Sequence, residues 1–153
     1  MFGQMLENPI FRRWSAITGL AGGLFGFGNL CSPTVVDGVS MEPTLQKGQM
    51  VWVDRFHYRT ARPQRGEVIV FRHQGEIYMK RIYRAPGERL SYIASNGSFV
   101  RLVRDSQADT VRKDLVNGLS AINVVQMQVP QDSVWVLGDN FDQSLDSREF
   151  GAI

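Results

Sequence analysis

From residue 49 onward the chain alternates short segments rich in Val, Ile, Tyr, Phe and Trp with clusters of turn-forming residues. The segments 50–54, 67–71, 77–83, 90–94, 98–103, 122–129 and 133–137 each predict a strand. Between them lie Gly48, Arg65-Gly66, Gln74-Gly75, Ala85-Pro86-Gly87, Asn96-Gly97 and Gly138-Asp139-Asn140, which supply the positive-φ or kinked positions of tight turns. Asn96-Gly97 between two strands is a hairpin signal. The expected fold is mainly β and antiparallel. The polar stretch 105–121 reads as a loop or small insertion with a short helix around 111–116.

The N-terminal part follows a different pattern. Residues 14–36, between Arg13 and Asp37, form a run of 23 without a formal charge. A helix needs roughly 20 residues to cross a bilayer, so the run is long enough. Five glycines and the closing Asn29, Ser32 and Pro33 shorten its effective apolar part to about Trp14–Cys31. Three readings stay open for this segment, in this order: a membrane anchor, a cleaved secretory signal, and a buried Gly-rich helix. As an anchor, Arg12 and Arg13 before it and no basic cluster just after it predict a cytoplasmic N-terminus, with everything after residue 36 outside. The small-residue sites a secretory signal needs for cleavage fall inside the run rather than after it.

Composition narrows the classes of function. At 153 residues, two large independent domains are not expected. Seventeen Lys plus Arg against fifteen Asp plus Glu leaves +2, too small a bias for a dedicated nucleic-acid binder. One cysteine, Cys31, excludes an intrachain disulfide, and with only His57 and His73 beside it there is no ligand set for a structural zinc site. Arg55, His57, Arg59, Arg62, Arg65 and Arg72 make one inter-strand region basic, which suits a solvated loop or contact with anionic lipid headgroups.

Three places carry candidate chemistry. Ser40 lies in Asp37-Gly38-Val39-Ser40-Met41-Glu42-Pro43-Thr44-Leu45, directly after the charge-free run. Taken alone, a serine in a Gly/Pro loop is more commonly a turn residue than a nucleophile. The Gly-x-Ser-x-Gly elbow is broken by Glu42, so an α/β-hydrolase is not indicated. In a strand over 77–83, alternation puts Lys80 on one face with Tyr78 and Ile82. Among apolar neighbours a lysine loses pKa and can act as a base, whereas on a solvated edge it simply snorkels. The run from Gly138 to Arg148 is densely polar. Asp139, Asp142 and Asp146 do not have the spacing of a calcium loop. In an extended segment Asp146 and Arg148 share a face and can pair, and Ser144 can hydrogen-bond the amine of a buried lysine.

The segments Gly38-Val39-Ser40-Met41-Glu42-Pro43-Thr44-Leu45, Arg65-Gly66-Glu67-Val68-Ile69-Val70-Phe71, Tyr78-Met79-Lys80-Arg81-Ile82-Tyr83-Arg84-Ala85-Pro86-Gly87-Glu88, and Gly138 to Gly151 together resemble, in order, the sequence boxes of type I signal peptidases. The resemblance covers about 36–151. It implies a signal-peptidase-like antiparallel β-sheet or barrel catalytic domain behind one N-terminal transmembrane helix. The implied division is a short cytoplasmic N-terminus (1–13), a membrane anchor (14–36) and an extracytoplasmic Ser-Lys peptidase domain (37–153). The implied activity is removal of signal peptides from exported pre-proteins, with Ser40 as nucleophile and Lys80 as general base. On this resemblance Ser144 orients Lys80, Asp139, Asp146 and Arg148 support the site, and the Ser40 backbone N–H faces the developing oxyanion. Val36, Met41, Leu45, Tyr78 and Met79 are the expected walls of the substrate site, which takes an extended peptide by strand addition. Signal peptides and membrane lipid are the implied partners. No nucleic acid, metal or cofactor is called for.

Two departures stand out. Some members carry a serine two positions before the nucleophile; here Gly38 stands there, leaving the second oxyanion donor without a candidate. Members also continue through another strand, so the chain is either truncated or closes without it. Within the same chemistry, a pilus-maturation or organellar inner-membrane peptidase is the nearest alternative; a tethered β-domain that binds export substrates without cutting them is the non-enzyme one.

Overall fold

The computed structural model describes residues 12–14, 31–96, 98–108, 111 and 122–153. In chain order its strands are β1 (Arg12–Trp14), β2 (Cys31–Val35), β3 (Met50–Asp54), β4 (Val68–His73), β5 (Glu76–Arg84), β6 (Arg89–Ser95), β7 (Ser98–Val103), β8 (Ile122–Gln128) and β9 (Trp135–Leu137). Two single-turn helices, α1 (His57–Thr60) and α2 (Ser147–Phe150), follow β3 and β9. Strands form a six-stranded sheet, β2-β3-β1-β4-β5-β9, and a three-stranded sheet, β7-β6-β8. Every pairing is antiparallel. The mainly β expectation holds, and all seven predicted strands are present with boundaries shifted by a residue or two.

Period-two alternation explains which side chains enter the core. In β3, Val51 and Val53 are buried while Met50 and Trp52 are exposed. In β5 the buried positions are Lys80, Ile82 and Arg84, so the strand's own periodicity turns a lysine inward. One apolar cluster joins Ile69, Phe71, Ile82, Val134 and Val136. A second joins Val36, Met41, Leu45, Val51 and Val68. A third links Leu90 and Val129 to Trp135 and Leu137 of β9, bringing the smaller sheet's β6 into contact with β9 of the larger one. The tight turns fall where predicted: Gly48, Gly66, Gly75 and Gly87 have φ of 84, 90, 91 and 79°, and Asn96 has φ of 50°. Beyond the last helix, Ile153 and Val134 exchange both backbone hydrogen bonds, at 2.8 and 3.0 Å.

Two elements differ from the sequence reading, both in the N-terminal run. Trp14 and residues 31–35, assigned to the anchor, are strand residues. Cys31-Ser32-Pro33-Thr34-Val35 pairs along the whole of β3, from Cys31 opposite Asp54 to Val35 opposite Met50. β1 is inserted between β3 and β4, with Trp14 opposite Val53 and Arg12 opposite Val70. The two flanks of the segment 15–30, Trp14 and Cys31, are therefore strand residues of one sheet. Residues 15–30 themselves, and the predicted helix around 111–116 apart from Val111, lie outside the described residues. Among those described, no helix is long and apolar enough to cross a membrane.

Candidate active site

Ser40 is presented by a loop held down on both sides of it. Val36 and Gln49 are joined by a backbone bond at 2.9 Å, Gly48 donates back to the Val36 carbonyl at 2.7 Å, and Leu45 N–H bonds the Met41 carbonyl at 2.9 Å. Met41 and Leu45 are 1% and 0% exposed, plugging the loop into the second cluster while Ser40 stays partly accessible. Lys80 reaches the same point from β5, where its backbone pairs with Ile69. Its side chain is 3% exposed, and its Nζ donates to Ser40 Oγ at 2.5 Å. A loop and a strand forty positions apart thus meet at one hydrogen bond.

The charge of Lys80 is poised. Burial pushes the amine down from its ordinary 10.5 to about 8; the Asp146 carboxylate opposes that fall and the Arg148 guanidinium adds to it. At a pH near 8 a substantial fraction is neutral and can accept a proton from the hydroxyl it touches. The sequence's two readings of Lys80 are thereby separated, since a snorkelling lysine would be exposed.

The third wall is the segment after β9. Asp146, fully buried, caps the N-terminus of α2: its Oδ1 accepts from Arg148 N–H at 3.2 Å and from Arg148 Nε at 2.8 Å. Its Oδ2 accepts from Ser144 Oγ at 2.6 Å, Gly138 N–H at 2.9 Å and Arg148 Nη2 at 3.0 Å. Burial works to raise this carboxyl, but the Arg148 and Ser144 bonds and the two backbone N–H groups outweigh it and hold it below the usual range. The predicted Asp146–Arg148 pairing is present, though a capped helix turn rather than an extended segment brings it about. The predicted Ser144–Lys80 bond is replaced: the Ser144 hydroxyl donates to Asp146, a charged acceptor that outcompetes an amine already directed at Ser40.

Asp139 joins this wall to β5. Arg81 grips it with two bonds, Nε to Oδ1 at 2.8 Å and Nη2 to Oδ2 at 2.7 Å, and also donates to the Gly66 carbonyl at 2.7 Å. Burial raises the Asp139 carboxyl, and hydrogen bonds from Arg81 and Thr44 with the Arg81 charge bring it below its ordinary value. With Asp139 and Asp146 each committed to an arginine, the polar run is a braced wall and not an open set of oxygen ligands. Gly138 is required by close approach: a Cβ there would lie 2.5 Å from the Ser40 carbonyl oxygen and collide with Ser144.

A cavity of about 770 Å³ opens over Ser40 and Lys80. Of the expected walls, Val36, Met41, Tyr78 and Met79 line it. Leu45 does not; it is fully buried in the core beneath the loop and acts as an anchor for Ser40 rather than a surface for ligand. The cavity adds Val35, Val70, Ile77 and Leu145, which sequence reasoning passed over. Val70 and Ile77 were within reach of it, because the β4–β5 register places Val70 opposite Met79. β9 pairs only with Arg81–Arg84, so among the described strands the edge of residues 76–80 on that side is open to another strand.

Comparison with known proteins agrees with this arrangement. The family described as "Signal peptidase, peptidase S26" matches residues 11–153. The chain is 32% identical over 140 residues to a protein named signal peptidase IB from Staphylococcus aureus, covering 81% of this chain and 71% of that one. It is 33% identical over 138 residues to signal peptidase I from Bacillus caldolyticus, covering 85% of this chain and 74% of the relative. A buried lysine on a serine hydroxyl, set beside a cavity and an open strand edge in a chain matched from residue 11 to its last residue, belongs to a member of the signal peptidase family, peptidase S26.

Proposed function

We propose that this chain removes signal peptides from pre-proteins with Ser40 as nucleophile and Lys80 as general base. Its membership of the signal peptidase family makes it a serine peptidase. The observation that carries the residue assignment is the 2.5 Å bond between the Lys80 amine and the Ser40 hydroxyl, with Lys80 buried. In the first step neutral Lys80 takes the hydroxyl proton as Oγ bonds to the scissile carbonyl carbon, and the carbonyl electron pair moves onto oxygen, facing the Ser40 N–H. Collapse of that adduct breaks the C–N bond, and the leaving amine receives the proton from Lys80. Water then gives a proton to Lys80 as it attacks the acyl-enzyme, and the proton returns to Ser40 when the acid product departs. Arg148, Asp146 and Ser144 support this chemistry at one remove, by holding the wall and tuning the charge on Lys80. The substrate is an extended segment laid along residues 76–80, with Val36, Met41 and Met79 limiting the size of side chains near the cut.

Membrane association accompanies this family, and the charge-free run is its natural source here, with the peptidase domain on the extracytoplasmic face. Incubating the detergent-solubilised chain with a pre-protein carrying an Ala-x-Ala site, and locating the cut by mass, tests the function. Cleavage after the last Ala is expected for the wild type and is expected to vanish in both Ser40→Ala and Lys80→Ala. Cleavage that survives in either variant removes the dyad. Folded protein that cuts only a narrow set of substrates would favour a specialised relative, and one that binds without cutting would favour the non-enzymatic reading.

A further inference from the structure

Asn140 opens the single-turn helix Phe141–Gln143, a place where asparagine ordinarily turns its side chain inward to cap the helix. Here it makes no cap bond. Its Nδ2 instead donates to the Val39 carbonyl at 3.2 Å, and its backbone N–H donates to the Ser40 carbonyl at 2.9 Å. One residue therefore holds two consecutive carbonyls of a segment a hundred positions earlier in the chain.

Those carbonyls belong to the two peptide units that flank Ser40. A peptide unit is planar and trans, so its C=O and N–H point in opposite directions. Fixing the Val39 carbonyl aims the Ser40 N–H, and fixing both planes sets φ and ψ of Ser40 and with them the direction of its Cβ–Oγ bond. Lys80 is fixed separately, by its strand pairing with Ile69. The loop as a whole is registered against the sheet by Met41 and Leu45, and its Val39 carbonyl also accepts the Glu42 N–H at 3.1 Å; the turn carrying Asn140 adds the bonds that reach both peptide units of Ser40 from outside the loop. Gly138 permits it, because any side chain there would strike the Ser40 carbonyl.

We infer that Asn140 is a positioning residue for the nucleophile, clasping the peptide units on either side of Ser40 so that its hydroxyl meets Lys80 and its N–H faces the oxyanion. The inference rests on the assignment of Ser40 as nucleophile. Misplacement of a reacting group by about 1 Å can cost on the order of 100-fold in rate, so Asn140→Ala, which keeps the backbone bond and loses the side-chain one, is expected to lower kcat by about 10- to 100-fold with KM within about twofold. Asn140→Asp keeps the shape of the side chain but presents a carboxylate oxygen to the Val39 carbonyl, so its kcat is expected to fall at least as far.

The experiment measures kcat, KM and thermal midpoint for the full detergent-solubilised chain on the Ala-x-Ala pre-protein, together with the pH profile. For wild type and Asn140→Ala the acid limb is expected to stay in place, because the alanine variant adds no charge beside Lys80; the carboxylate of Asn140→Asp is expected to shift it, if at all, to higher pH. An alanine variant with wild-type kcat, or an aspartate variant that restores it, overturns the inference. So does a loss confined to KM, or a limb displaced in the alanine variant. Ser40→Ala serves as the control that separates the two claims: if it is inactive while both Asn140 variants are fully active, only the clasp is wrong, and if it still cleaves, the nucleophile assignment falls and the clasp with it.

Discussion

Lys80 shows how one position can be both costly and useful. Burial holds its amine near 8, and the same burial removes water that would compete for the Ser40 hydroxyl. With the neutral amine as the proposed base, kcat/KM is expected to rise with pH through a limb near 8 and to level off above it. A profile already flat at about pH 6 would contradict the assignment. The sign for stability follows from linkage: an unfolded lysine keeps its ordinary 10.5, so between about 8 and 10.5 the unfolded chain binds more protons and stability rises with pH. Below about 8 both states are protonated and the cost of the buried cation is fully present. At this scale the sequence was informative where chemistry and motif coincide. Ser40, Lys80 and the Asp146–Arg148 pair were legible, whereas Asn140 was not, because its partners Val39 and Ser40 are brought to it only by the fold. Leu45 was misread because its place in the motif says nothing about which way a loop residue points.

Among the elements, the strands after residue 49 were legible because each alternates or runs apolar between strong turn signals, and Gly48, Gly66, Gly75 and Gly87 adopt the positive φ those signals call for. β1 and β2 were not legible. Cys31–Val35 contains a proline and closes a long uncharged stretch, so the hydrophobic pattern merged it with what precedes it; its identity as a strand depends on β3 being available to pair. Proline at position 33 is acceptable because β2 lies at the end of the sheet order. β1 lies between β3 and β4, so its three residues belong to the same sheet as the strand that carries Lys80.

For the whole molecule, the site exists only where three distant stretches converge: the loop 36–48 on the second apolar cluster, β5 next to the end of the larger sheet, and the braced wall that runs from β9 to α2. Each has its own reason to be rigid. The loop is plugged by Met41 and Leu45, β5 is paired with β4 along residues 76–81, and the wall is tied to β5 through Asp139 and Arg81. That convergence leaves the edge of β5 and the cavity beside it as the surface on which an extended peptide can lie with its scissile carbonyl over Ser40.

The central claim is that Ser40 forms the covalent bond to substrate. Its most direct test is rapid acid quenching of the enzyme during turnover of an Ala-x-Ala peptide ester, followed by intact mass and peptide mapping. The account predicts an acyl adduct on the peptide containing Ser40 in the wild type and none in Lys80→Ala. An adduct on a different residue, or full turnover by Ser40→Ala, would contradict it.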